Sequence, residues 1–183
     1  MGILTQIMDK YNLERFIEAQ EQTYEHALQE IRRGCKSGHW IWYIFPQLRG
    51  LGKSRLSDYY GIEDLQEATD YLSHPVLGWR LCEITEALLV HSDKNIEEIF
   101  RQIDAKKVCS SMTLFDAAFP NYIFRQVLDE FYNGEKDRLT LKKLNFNKPL
   151  FSANPAKDPV GDFVKDPVEE TLKYKAIEKQ VER

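Results

Sequence analysis

The stretch HWIWYIFPQLRGLGKS, His39 to Ser54, decides how this chain folds. Two of the three tryptophans, a tyrosine, a phenylalanine and two isoleucines follow His39 without interruption, and the run breaks at Pro46 into a basic loop carrying Gly50 and Gly52. Such an apolar rod anchors a core, and the loop after it can present polar groups at its tip. Seven largely apolar residues are too few for periodicity to separate a buried strand from a buried helix. The aromatics favour β-structure, yet no second convincing strand is present to pair with them. A short extended or single-turn segment within a mainly helical domain is therefore expected.

Outward from this run, helical spacing dominates. Leu13, Phe16, Ile17, Tyr24, Ala27, Leu28 and Ile31 recur on one face. They predict one helix from Leu13 to Arg33, with Asn12 as its cap and Gly34 as its stop. Ser54 to Tyr60 predicts a short helix ended by Gly61. Leu65, Ala68, Tyr71 and Leu72 mark the next, and Pro75 opens a longer helix capped by His74 or Ser73. Ile96, Ile99 and Phe100 mark another short helix, and Asp104 is expected to cap a separate one through Val108, Met112 and Phe115. Tyr122 to Phe131 continues the pattern until Asn133-Gly134, and Leu139, Leu141 and Leu144 close it. The expected fold is mainly α: a single multi-helix domain over 1–146, with the short aromatic segment inside it and a C-terminal extension over 147–183. Four of the seven prolines lie in that extension, where Lys157-Asp158-Pro159-Val160 recurs as Lys165-Asp166-Pro167-Val168. It reads as a semi-rigid linker leading to a final helix that folds back on the domain or contacts another subunit.

A chain of 183 residues can bury a substantial core, and its 43% hydrophobic and 30% charged residues are those of a soluble globular protein. No apolar run approaches the roughly 20 residues that span a bilayer. Three cysteines, Cys35, Cys82 and Cys109, far apart and without a C-x-x-C pair, point to reduced thiols in the cytoplasm. A net charge of −4 argues against broad nucleic-acid binding.

Chemistry concentrates around the loop. Glycine-flanked amides before a helix attract phosphate or carboxylate, so Gln47, Arg49, Gly50, Gly52, Lys53 and Ser54 are candidate contacts for a small anionic ligand. Gly52-Lys53-Ser54 imitates a triphosphate-binding loop, but Gln47 stands where that motif needs glycine. A tight connection with solvated charges is the plainer reading. Trp40 and Trp42, two apart, would share a face in an extended segment and could stack on a base or sugar; core packing is the alternative. His39 and Asp58 are the candidate proton-handling, catalytic residues, against structural roles for both. His39 has no second ligand at metal spacing, so no metal is expected, and no cofactor motif is present. Ser110, Ser111 and Thr113 place three hydroxyls in an otherwise apolar helix, where they need partners. If they and Lys106 and Lys107 face the loop, they form the second wall of a pocket. No G-x-S-x-G turn surrounds either serine, which argues against a serine hydrolase.

Several motifs occur together in order. They are Leu13-Glu14-Arg15-Phe16, Glu18-Ala19-Gln20, His39-Trp40 with Trp42, and Ile44-Phe45-Pro46-Gln47. Gly50-Leu51-Gly52 with Ser54, Tyr60-Gly61-Ile62, His74-Pro75-Val76-Leu77-Gly78 and Ser110-Ser111-Met112-Thr113-Leu114-Phe115 follow. Over about residues 12–144 this series resembles the family catalogued as domain of unknown function 1810. The resemblance implies a mainly helical protein without an established activity. The calpastatin label sometimes attached to such proteins finds no support, because the T-I-P-P-x-Y-R type segment of calpain inhibitors is absent and this chain is patterned to fold. Function is thus expected to be binding, with hydrolysis open, of a small anionic or nucleotide-like ligand. A non-catalytic interaction module is the alternative, and whether the protein is an enzyme stays open.

Overall fold

The structure, a computed structural model, describes residues 10–146. Nine helices occur among them: α1 (Glu14–Glu21), α2 (Tyr24–Arg32), α3 (Ile41–Ile44), α4 (Arg55–Tyr59), α5 (Leu65–Ser73), α6 (Pro75–Leu89), α7 (Ile96–Ala118), α8 (Ile123–Tyr132) and α9 (Arg138–Phe146). The predicted C-terminal extension and its final helix lie outside the described residues.

Local side-chain chemistry sets many of the boundaries. Ser54 caps α4 through the Ser57 amide, and Asp64 caps α5 through the Glu67 amide. His74 Nδ1 accepts from the amides of Val76 and Leu77, with Pro75 at the first position of α6. Burial, helped by the nearby Arg80 charge, lowers the His74 pKa and favours the neutral ring that this cap requires. Asn133 adopts the left-handed conformation at φ 53°, and the Gly134 amide returns to the Leu128 carbonyl to stop α8.

Three expectations are corrected. The single helix from Leu13 to Arg33 is two, because Thr23 turns its hydroxyl onto the Ala19 carbonyl at 2.6 Å and starts α2 from a non-helical conformation. Asn12 is no side-chain cap: it sits at φ 49° and offers its carbonyl to the amide and guanidinium of Arg15. The expected division between a short helix marked by Ile96, Ile99 and Phe100 and a longer one after it is present as a kink within α7. It falls at Arg101 (φ 59°), however, and Asp104 is not its cap; the amide of Lys36 takes the Ile99 carbonyl next to the kink.

The aromatic run resolves into one helical turn, α3, so Trp40 and Trp42 do not share a face as they would in an extended segment. Trp40 is buried and Trp42 half-buried. Phe16, Ile31, Ile41, Phe45, Leu77, Phe100, Phe115 and Phe124 form the core with Tyr71, whose ring meets Phe16 edge-on at 5.1 Å. Burying side chains of this size contributes about 1.5–3 kcal/mol each before entropy is counted. The central α7 packs on α5, α8 and α9, and α6 packs on α2, α5 and α8. At Gly78 a Cβ would stand 2.0 Å from the Leu72 carbonyl oxygen, so α5 and α6 meet at a point only glycine permits.

Two polar staples tie the periphery to this core. Arg15, buried, donates to the carbonyls of Tyr11, Asn12, Tyr59 and Gly61 and pairs with Glu67 at 2.7 Å. Glu30 gathers the 37–40 turn. Its carboxylate accepts from the amides of Ser37 and Gly38, the Ser37 hydroxyl and the Trp40 indole, with His26 at 2.9 Å.

Candidate functional site

Beyond α3 the chain forms a parallel bridge between Leu48 and Ile62, in which the Ile62 amide donates to Gln47 and the Arg49 amide to Ile62. This fixes the base of the loop. Gly50 takes the left-handed conformation at φ 81° to turn it, and Lys143 Nζ of α9 lies 3.0 Å from where a Cβ on Gly50 would stand. The Leu51 amide bonds the Leu48 carbonyl. Arg49, exposed, donates to the Asp58 carbonyl at 3.2 Å and faces Glu63 at 3.9 Å. Ser54 spends its hydroxyl on the α4 cap, and Gly52 packs so close to Ser57 that a side chain there would collide with it. Two of the loop amides are therefore spent within the protein, and Gly52, Lys53 and Ser54 are exposed.

On the inner side of this loop lies a cleft of about 320 Å³. Gln47 and Leu51 line it from the loop, Lys106, Lys107, Cys109 and Ser110 from α7, and Tyr132, Asp137 and Leu139 from the end of α8, the turn after it and the start of α9. Its surface is mostly apolar, which suits the body of an organic ligand.

Most of its polar groups are already engaged. Ser110 shares a hydrogen bond with Thr140 at 2.7 Å. Thr113 donates to the Cys109 carbonyl and accepts from the Asp137 amide, and Asp137 caps α9 through the amide and hydroxyl of Thr140. Two of the three sequence-picked hydroxyls thus fasten α9 to α7. Ser111 is fully buried, and its hydroxyl makes no hydrogen bond to any described residue. The Tyr132 hydroxyl donates to the Ala105 carbonyl.

Burial, with Asp137 and Glu135 adding to it, pushes the Cys109 thiol up to about 11, so the sulfur is a protonated group at neutral pH. Lys107 bonds Asp104 at 2.8 Å and lies over the Trp42 ring, 4.8 Å from its centre. Asp104 holds the buried Lys36 on its other oxygen at 2.6 Å. Although burial opposes it, these two ammonium groups keep the Asp104 carboxyl below its usual range. By contrast, the side chains of Gln47 and Lys106 make no hydrogen bond or ion pair with any described residue.

The family follows from the greater part of the chain. Residues 10–144 match the family described as Protein of unknown function (DUF1810). The chain is a DUF1810 protein. Among solved structures it is similar to the conserved hypothetical protein Rv1873 from Mycobacterium tuberculosis. That likeness has 46% identity and a TM-score of 0.73, covering 75% of this chain and 99% of that one. No curated protein matches.

Of the residues singled out in this DUF1810 chain, the fold brings Gln47 and Ser110 to the cleft. Gly50, Gly52, Lys53, Ser54, Arg49 and Asp58 belong to the loop and α4, outside its lining. His39 is exposed before α3, and Trp40 is buried against Glu30, Phe45 and Phe100. Trp42 touches the cleft's surroundings through Lys107. The α8–α9 wall, with Tyr132, Asp137 and Leu139, was missed. Its one local signal is Asp137 three residues before Thr140, the spacing of a helix cap. Among the described residues no group of three His, Cys, Asp or Glu side chains is placed to hold a metal, and no helix is long and apolar enough to cross a membrane.

Proposed function

We propose that the cleft between the 47–51 loop and α7–α9 binds a small organic anion. One observation carries the reading: Gln47 and Lys106 line the same cleft from different elements with polar side chains that the described protein leaves unengaged. Buried or half-buried polar groups are ordinarily satisfied, so the open, half-buried Gln47 amide suits a ligand that supplies its partners, and the exposed Lys106 ammonium adds a positive charge at the edge of the same cleft. Lys107 and the Lys143 ammonium at the loop tip add positive charge nearby. Leu51, Tyr132 and Leu139 offer the apolar surface.

The proposal is binding rather than catalysis. Cys109 stays protonated, Asp137 is committed to α9, and neither His39 nor Asp58 lines the cleft. That none of the three cysteines is in a disulfide supports placing the protein in the reducing cytoplasm. A thermal-shift screen of small phosphates and carboxylates tests the reading, since a ligand that binds only the folded state raises its melting temperature. At least one such anion should stabilise the wild type, and Lys106→Ala should remove that shift while leaving the unliganded melting temperature near wild type. No stabilising anion, or a shift indifferent to Lys106, would overturn it.

A further inference from the structure

We infer that the anion the cleft takes is a nucleotide, its base edge read by Gln47 and its phosphate held by Lys106. The inference rests on the anion-binding reading above and adds the chemistry of the uncharged end. A lone ammonium suffices for charge, and the 320 Å³ cleft is at the lower end of the size range for small-molecule sites, large enough for a ring and a phosphate.

Gln47 is what distinguishes the uncharged end. Its backbone is pinned on both sides, by buried Pro46 before it and by the Leu48–Ile62 bridge after it, with its own carbonyl accepting the Ile62 amide at 2.8 Å. The half-buried carboxamide therefore has a fixed origin and no competing partner among the described residues. A carboxamide presents one donor and one acceptor side by side. It is satisfied by a group offering the reciprocal pair, as the edge of a nucleobase does when glutamine pairs with adenine. Ribose hydroxyls can also donate and accept, but they offer no rigid, planar donor–acceptor pair to match the carboxamide, and a site built to hydrogen-bond a ligand group discriminates against ligands that match it less well.

Calorimetric titration of the full chain with the four nucleoside monophosphates and with ribose 5-phosphate tests this. At least one monophosphate should bind roughly tenfold or more tightly than ribose 5-phosphate, the factor expected of one or two well-placed hydrogen bonds. Gln47→Met, which keeps the length and loses the polar atoms, should bring that ratio close to one; Gln47→Ala gives the same reading if methionine disturbs the loop. Equal wild-type binding of ribose 5-phosphate and every monophosphate overturns the base-edge assignment and leaves anion binding standing. A preference that survives both substitutions overturns the role of Gln47. Failure of all five probes to bind overturns the nucleotide assignment, while the screen of small phosphates and carboxylates decides anion binding separately.

Discussion

The indole of Trp40 donates to the Glu30 carboxylate at 2.8 Å, and the same carboxylate accepts from the Ser37 and Gly38 amides and from the Ser37 hydroxyl. The first tryptophan of the aromatic run is therefore an anchor. Its ring packs edge-on to Phe100 and tilted to Phe45, and its one polar atom is satisfied by α2. This contact fixes where α3 begins, and through α3 the position of Gln47.

That carboxylate should make stability fall in acid. Burial alone would raise the Glu30 pKa, but hydrogen bonds from Gly38, Ser37 and Trp40 outweigh it and bring the group down to about 2. With the folded value below the ordinary unfolded one, its contribution is complete above about pH 4.5 and is lost as pH falls towards 2. Urea unfolding as a function of pH should show Glu30→Gln less stable than wild type near pH 7, with the gap closing below pH 4.

Arg15 and Glu67 form an ion pair with side chains only 4% and 1% exposed. Removing one partner leaves the other charge buried, which typically costs about 3–5 kcal/mol. Arg15→Met should lose that much, the more so because four carbonyls lose their donor. In a double-mutant cycle with Glu67→Gln, the coupling should exceed about 1 kcal/mol.

Ser111 presents the opposite case. A buried hydroxyl without a partner carries a desolvation cost of about 1–3 kcal/mol, and alanine is the better helix former. Ser111→Ala should therefore raise the melting temperature in differential scanning calorimetry; a fall would mean that the hydroxyl has an acceptor.

Cys109 should behave as an inert thiol despite lining the cleft. With its pKa near 11, mass-spectrometric alkylation by iodoacetamide at neutral pH should modify exposed Cys35 first. The Cys109 rate should climb as pH rises towards 11.

What the sequence reveals here is local chemistry. Ser54, His74-Pro75 and Asn133-Gly134 announce helix ends because the side chain or conformation that ends the helix lies within a few residues of it. The break at Thr23 and the exact place of the one at Arg101 are illegible for contrasting reasons. Thr23 works by a weak back-bond that many helices tolerate, and the Arg101 kink has its Ile99 carbonyl taken by Lys36, more than sixty residues earlier. The pairing of the 47–54 loop with the Lys106–Ser110 stretch was expected as a condition. The fold brings together only its inner parts, because Arg49, Lys53 and Ser54 turn away with α4. The third wall comes from residues about ninety positions away from the loop, whose only sequence mark is an ordinary cap.

The most direct test is a backbone-amide NMR titration of the protein with each of the four nucleoside monophosphates. With at least one of them, saturable shifts should cluster on Gln47, Leu51, Lys106, Lys107, Ser110 and Leu139, and be absent from Arg32 and Val90, which line a separate groove beside α2 and α6. Shifts scattered over exposed cations without saturation, or none at all, with every one of the four would contradict binding in the cleft.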